Sequence, residues 1–197
     1  MPNWCSTRIT INYESREKLQ ELLDLVEKWT KSDYEKNGFG LSWLGNVVGN
    51  SGVGTVSTGQ STDLHCRGYI NSLELFDNQF IIDTETAWTP MLKLWIKVLE
   101  KYLPGATLLY TAEECGNNIY YTNDPDLVGC YYIDAWDVPG IDSNESVPAD
   151  KVISILQELL KSTETDIDEL INLISASEYS EGLAIHKWEF AESETWD

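Results

Sequence analysis

Two hydrophobic periods alternate along the first 136 residues, and their order restricts the fold more than any other feature. From Trp4 to Tyr13, Cys5, Thr7, Ile9, Ile11 and Tyr13 alternate with Ser6, Arg8, Thr10 and Asn12, the period of a strand. Ser15 then offers a helix cap, and Leu19, Leu22, Leu23, Val26 and Trp29 share one helical face, with Glu17, Lys18, Glu21 and Lys28 outside it. Strand patterning returns at Cys66–Phe76 and Gln79–Trp88, joined by the turn pair Asp77-Asn78. Thr89-Pro90 predicts a helix start, with Thr89 at the N-cap and Pro90 at the first helical position. Leu92, Trp95, Ile96, Leu99 and Leu103 carry that helix to Pro104-Gly105. Three further strands are expected at Ala106–Ala112, Ile119–Thr122 and Cys130–Trp136. The succession βαββαβ with two added strands predicts an α+β fold of ferredoxin-like type, an antiparallel sheet with both helices on one face.

The stretch from Gly38 to Gly59 reads as a connector holding the apolar island Leu41 to Val48. Its run Gly49-Asn50-Ser51-Gly52-Val53-Gly54 lacks the Gly-Lys-Ser/Thr of a phosphate loop, and no base occurs from Asn37 to His65. After Pro139-Gly140 the pattern changes. Val152, Ile155, Leu156 and Leu159 predict one amphipathic helix. Thr165, with Asp168 three places on, predicts the cap of a second carrying Ile167, Leu170, Ile171 and Ile174. Gly182–Phe190 predicts a last strand, and the acidic tail Ala191–Asp197 is expected to fray. The expected division is a core over 1–140 and an acidic helical extension, packed on it, over 141–197.

Charge narrows the function. The chain has 33 acids against 13 bases, net −20, and residues 104–197 hold 20 of the acids against only Lys151, Lys161 and Lys187. Such a surface repels nucleic acid and anionic membranes and draws basic partners across a Debye length of about 8 Å. Ferredoxin-like sheets that bind RNA set aromatics among Lys and Arg. Here Tyr120, Tyr121, Tyr131, Tyr132 and Trp136 are followed instead by Asp124, Asp126, Asp134 and Asp137. No stretch approaches the ~18 apolar residues of a membrane helix, and Met1 to Cys5 has no signal-peptide pattern, so cytoplasmic residence is expected.

Catalytic patterns are thin. Cys5, Cys66, Cys115 and Cys130 form no Cys-x-x-Cys pair, and His65-Cys66 offers only adjacent zinc ligands. His186 and Glu189 lie three apart in a segment that reads as extended, and no Ser-His-Asp or Cys-His order is recognisable. The best case for an enzyme is a divalent-metal site from Asp124, Asp126, Asp134 and Asp137, with Glu113-Glu114 nearby. It lacks the Lys, Arg or His that phosphoryl chemistry adds for transition-state charge. The chain is read as no enzyme, without cofactor or metal.

Three motifs carry a resemblance: the opening Met1-Pro2-Asn3-Trp4-Cys5-Ser6, the stretch Ser42-Trp43-Leu44-Gly45-Asn46, and the helix entry Thr86-Ala87-Trp88-Thr89-Pro90. Over about residues 1–136 the chain resembles an uncharacterised family of phage- and plasmid-borne proteins with a ferredoxin-like domain. The resemblance implies that fold and a mobile-element origin, and no catalytic residues. Pro2, Asn3 and Trp4 are read as a structural device, with Trp4 anchoring the first strand against a helix. Charge and resemblance together predict a non-enzymatic inhibitor of a basic host protein, a nucleic-acid-binding defence nuclease such as a CRISPR effector or restriction enzyme. Carboxylates of Glu113, Glu114, Asp124, Asp126, Asp134, Asp137, Asp166, Asp168 and Glu169 are expected to stand in for phosphates. The rival readings are a structural or housekeeping phage protein, acidic for solubility alone, and the metal-dependent enzyme.

Overall fold

The computed structural model describes residues 3–32, 39–57, 60–61, 64–136, 138–141 and 145–196. β1 (Trp4–Asn12) sends Cys5, Thr7, Ile9 and Ile11 inward and leaves Trp4, Ser6 and Arg8 outside. α1 (Arg16–Thr30) begins at Ser15, whose hydroxyl accepts from the Lys18 N–H at 3.3 Å, and buries Leu19, Leu22, Val26 and Trp29. The glycine-rich stretch contains a helix that the pattern did not predict, α2 (Leu44–Ser51), in which Leu44, Val47 and Val48 are wholly buried. Gly45 has a steric role there: the buried Trp43 ring lies over it, where a β-carbon would overlap the indole. Gly52, at φ +64°, ends the helix.

Two short strands, β2 (Val56–Ser57) and β3 (Gln60–Ser61), pair with each other. β4 (Gly68–Phe76) and β5 (Gln79–Ala87) form the predicted hairpin, Phe76 facing Gln79 across Asp77-Asn78, with a register shift between Ile70 and Ser72. α3 (Leu92–Tyr102) follows, and here the cap prediction needs correction. Met91 occupies the N-cap, while the Thr89 carbonyl accepts the Thr86 hydroxyl at 2.8 Å. Trp88 turns the chain at φ +74°, so Thr89-Pro90 completes that turn and the helix starts later. β6 (Thr107–Glu114) and β7 (Ile119–Thr122) complete this part of the chain.

These strands lie in the order β7-β6-β1-β5-β4, every neighbouring pair antiparallel. Cys5, Ile9, Ile11, Phe80, Ile82, Tyr110 and Ala112 form the covered face and share one core with Leu22, Val47, Trp95 and Val98 of the helices. Residues 191–196 return to this core. The expectation of a frayed tail is overturned: Ser193 is buried, and the Trp196 indole donates to the Tyr110 hydroxyl at 2.7 Å and packs 5.4 Å from the Tyr121 ring. Its large apolar ring outweighs the acidity of its neighbours.

Asp124–Phe190 is a second unit, and Met1–Asn123 with Ala191–Asp197 is the first. The divisions fall at 123/124 and 190/191, where the sequence pattern suggested 140/141. β8 (Tyr131–Ala135) does not extend the first sheet as expected. It pairs with β9 (Glu145–Val147) and β10 (Leu183–Lys187) in a three-stranded antiparallel sheet. α4 (Ala149–Leu160) and α5 (Ile167–Ser175) cover one side, bringing Val152, Leu156, Leu170 and Ile174 onto Tyr131, Ile133 and Ile185. α5 is capped by Asp166, not Thr165: the Asp166 carboxylate accepts from the Asp168 and Glu169 N–H groups at 2.9 and 3.2 Å. β11 (Glu189–Phe190) is the last strand along the chain.

Candidate functional site

Acidic residues of the second unit lie mainly on its outside. With Val152, Leu156, Leu170 and Ile174 inside, Asp126, Asp150, Glu158, Asp166, Asp168, Glu169, Glu178 and Glu181 are exposed. Over 124–190 there are 15 acids against Lys151, Lys161 and Lys187, net −12.

The sequence-derived contact residues fall into separate groups. Asp166, Asp168 and Glu169 share the first turn of α5, and burial followed by the charges of Asp168 and Asp166 raises the Tyr131 phenol. These carboxylates therefore belong to the Tyr131 side of β8. Asp134 alternates to the other side, with Tyr132, His186 and Trp188. There the Trp188 indole donates to the Ser146 hydroxyl at 2.9 Å and meets the Tyr132 ring edge-on. Asp124 and Asp126 occupy the turn before β8, the Asp124 carboxylate accepting the Asp126 N–H at 3.0 Å. Asp137 lies outside the described residues. Among the described residues no three His, Cys, Asp or Glu converge into a metal-binding group.

His186 is held below its ordinary pKa by burial, with the Asp134 charge pulling the other way. A histidine depressed in the fold takes up a proton on unfolding, so its contribution to stability is complete above pH ~6.5 and is lost as pH falls toward the folded value. NMR titration should place the His186 midpoint below 6.5, and Asp134→Asn should move it lower still. A midpoint unmoved or raised by that substitution would contradict the arrangement.

Glu113 and Glu114, adjacent in sequence, have opposite fates. Glu114 is 3% exposed, and its two carboxylate oxygens accept the Gly116 and Asn117 N–H groups, each at 2.7 Å. It stabilises the turn after β6 and is withdrawn from the set of surface contacts. Glu114→Gln, with one acceptor oxygen where there were two, is expected to cost about 2 kcal/mol by urea unfolding. Loss below ~0.5 kcal/mol would mean that the turn holds without the carboxylate.

Glu113 points to the face of the first sheet turned away from α1 and α3. Register builds a row across it: Tyr69 faces Glu85, Glu85 faces Ser6, and Ser6 faces Glu113. Trp4, next along β1 on the same face, is 46% exposed with its ring 6.1 Å from that of Tyr69. Trp4 therefore does not anchor the strand against a helix. In the following row Arg8 donates from Nε and Nη2 to the Asp83 carboxylate at 2.8 and 3.0 Å, and Ser72 donates to the same carboxylate at 2.8 Å. The Arg8 guanidinium holds Asp83 below the usual carboxylate range.

Sequence reasoning did not place Trp4, Tyr69 and Glu85 in a site, although one signal was available: strand parity puts Trp4 with Ser6 and Arg8. Cys5, on the covered face, is buried, and that burial pushes its thiol up to about 11, which suits a packing role. No known protein family, curated protein or solved structure matches this chain.

Proposed function

We propose that this is a non-enzymatic binding protein whose acidic second unit occupies the basic groove of a nucleic-acid-handling protein, as an inhibitor borne by a phage or other mobile element would. The observation that carries this reading is the second unit's charge, 15 acids against three lysines with the apolar residues turned inward. Ordinary soluble surfaces intersperse both signs. Asp166, Asp168 and Glu169 on one helical turn are its foremost contacts, supported by the exposure of all three. The first unit is read as ferredoxin-like, supported by a strand order in which the first, second, third and fourth strands of βαββαβ are β1, β4, β5 and β6 and lie as β6-β1-β5-β4.

Capture from host cells should recover a basic nucleic-acid-binding protein that DNA or RNA displaces. Association should slow as salt rises from ~50 to ~500 mM, since rim charges act chiefly on the association rate. Reversing Asp166 and Asp168 to Lys should weaken capture more than reversing Glu14 and Glu17 in the first unit. An acidic partner, or binding indifferent to salt and to these reversals, would remove the basis of the proposal.

A further inference from the structure

Within the first unit, the sheet face turned away from α1 and α3, exposed at Trp4, Ser6 and Glu85, has a chemistry of its own, independent of the acidic surface just discussed. Its register positions include Glu74, Asp83, Glu85 and Glu113 against a single base, Arg8, whose guanidinium is engaged by Asp83. Phosphate chains and anionic lipids are therefore disfavoured here. Glu85 and Glu113 flank Ser6 from the two neighbouring strands, two strand spacings apart, or about 9.6 Å between backbones. Ser6 is small and exposed, which leaves room between the carboxylates. Trp4 and Tyr69 bring aromatic surface to the same row, their rings inclined at 49°.

Carboxylates on two sides of Ser6, with the exposed Trp4 ring next along the strand, suit a cation that can stack and donate in its plane. Guanidinium does both: it lies on aromatic faces and presents a rigid fork of N–H donors to carboxylates, whereas ammonium is a compact, strongly hydrated point charge. The Arg8–Asp83 pair two residues along shows the same fork-to-carboxylate bonding on this face. We propose that this face of the first sheet docks an arginine-bearing segment of a partner protein, seating one guanidinium over Ser6 between Glu85 and Glu113 and against the Trp4 ring.

The test uses the full chain and a capped glycine-arginine repeat peptide as probe, followed by NMR of the indole N–H signals and by titration at physiological ionic strength. Saturable binding that shifts the Trp4 indole signal is expected, with the matching lysine peptide at least threefold weaker. Trp4→Ala, and separately Glu85→Gln with Glu113→Gln, should each lose tenfold or more in affinity. Glu14→Gln with Glu17→Gln, which removes the same charge elsewhere in the first unit, should lose no more than threefold. Trp4 and Glu85 are exposed, and the glutamine pair keeps side-chain size, so that pair decides the matter if Trp4→Ala fails to fold. A smaller loss on the sheet face, a larger one at Glu14 and Glu17, or equal binding of the lysine peptide overturns the proposal. So does a dimer by sedimentation that Trp4→Ala dissociates, which would assign the face to a second copy of the chain.

Discussion

Gly45→Ala is expected to destabilise the first unit by about 3 kcal/mol, the net of two opposed effects. Alanine favours a helix over glycine by about 1 kcal/mol, so propensity alone predicts a gain within α2. Against it stands the Trp43 ring, which is 3% exposed and lies where the new β-carbon must go. Displacing that ring forfeits most of what a buried tryptophan contributes, about 3–5 kcal/mol. The overlap wins. For a chain of this size the thermal transition should fall by roughly 6–12 °C. In a double-mutant cycle with Trp43→Leu, the pair should cost less than the sum of its parts, because the smaller side chain removes the overlap. Additive losses would show that something other than the indole resists the methyl group.

Removing residues 191–197 should have the larger effect, about 4–5 kcal/mol, and Trp196→Ala alone about 3 kcal/mol, the lower end for a tryptophan because this one is only partly buried. The difference arises at Tyr110. Its hydroxyl donates to the Ala191 carbonyl at 3.0 Å and accepts from the Trp196 indole at 2.7 Å, in surroundings whose burial pushes the phenol up to about 12. Trp196→Ala leaves the first of these bonds. Truncation leaves neither, water takes their place at the uncovered hydroxyl, and each such exchange costs about 0.5–1.5 kcal/mol. Urea unfolding measures both losses, and hydrogen exchange should quicken at β6 and β7 before β4. A truncated chain within ~0.5 kcal/mol of the parent would mean that the tail rests on the first unit without holding it.

Legibility tracked how local the determining forces were. β1, α1, the β4–β5 hairpin and α3 were readable because each carries its own period, and the Asp77-Asn78 turn sits where its chemistry placed it. α2 was hidden because Gly45 and Gly49 lower helix propensity, while the compensating contact, an indole above Gly45, is invisible in a linear pattern. The start of α3 shifted because a backbone twist at Trp88 absorbed Thr89 and Pro90. At the candidate sites, charge density was readable and location was not. Glu113 and Glu114 look alike in sequence, yet strand alternation sends one to the face away from the helices and the other to a buried turn. Pairing choice also escapes local reading: β8 reads as an extra strand for the first sheet but finds partners that come later in the chain.

The order of synthesis gives the inserted second unit a consequence in time. Between the emergence of Asn123 and that of Ala191 the ribosome must add the whole of Asp124–Phe190. At ~5–20 residues per second those 67 residues take about 3–13 s. For that interval Tyr110 and Tyr121 await the indole that will cover them, and the nascent first sheet presents them bare. The segment emerging meanwhile has net charge −12, so electrostatic repulsion between neighbouring nascent chains grows while the apolar gap is open. Acidity here then keeps neighbouring nascent chains apart in the seconds before Trp196 emerges.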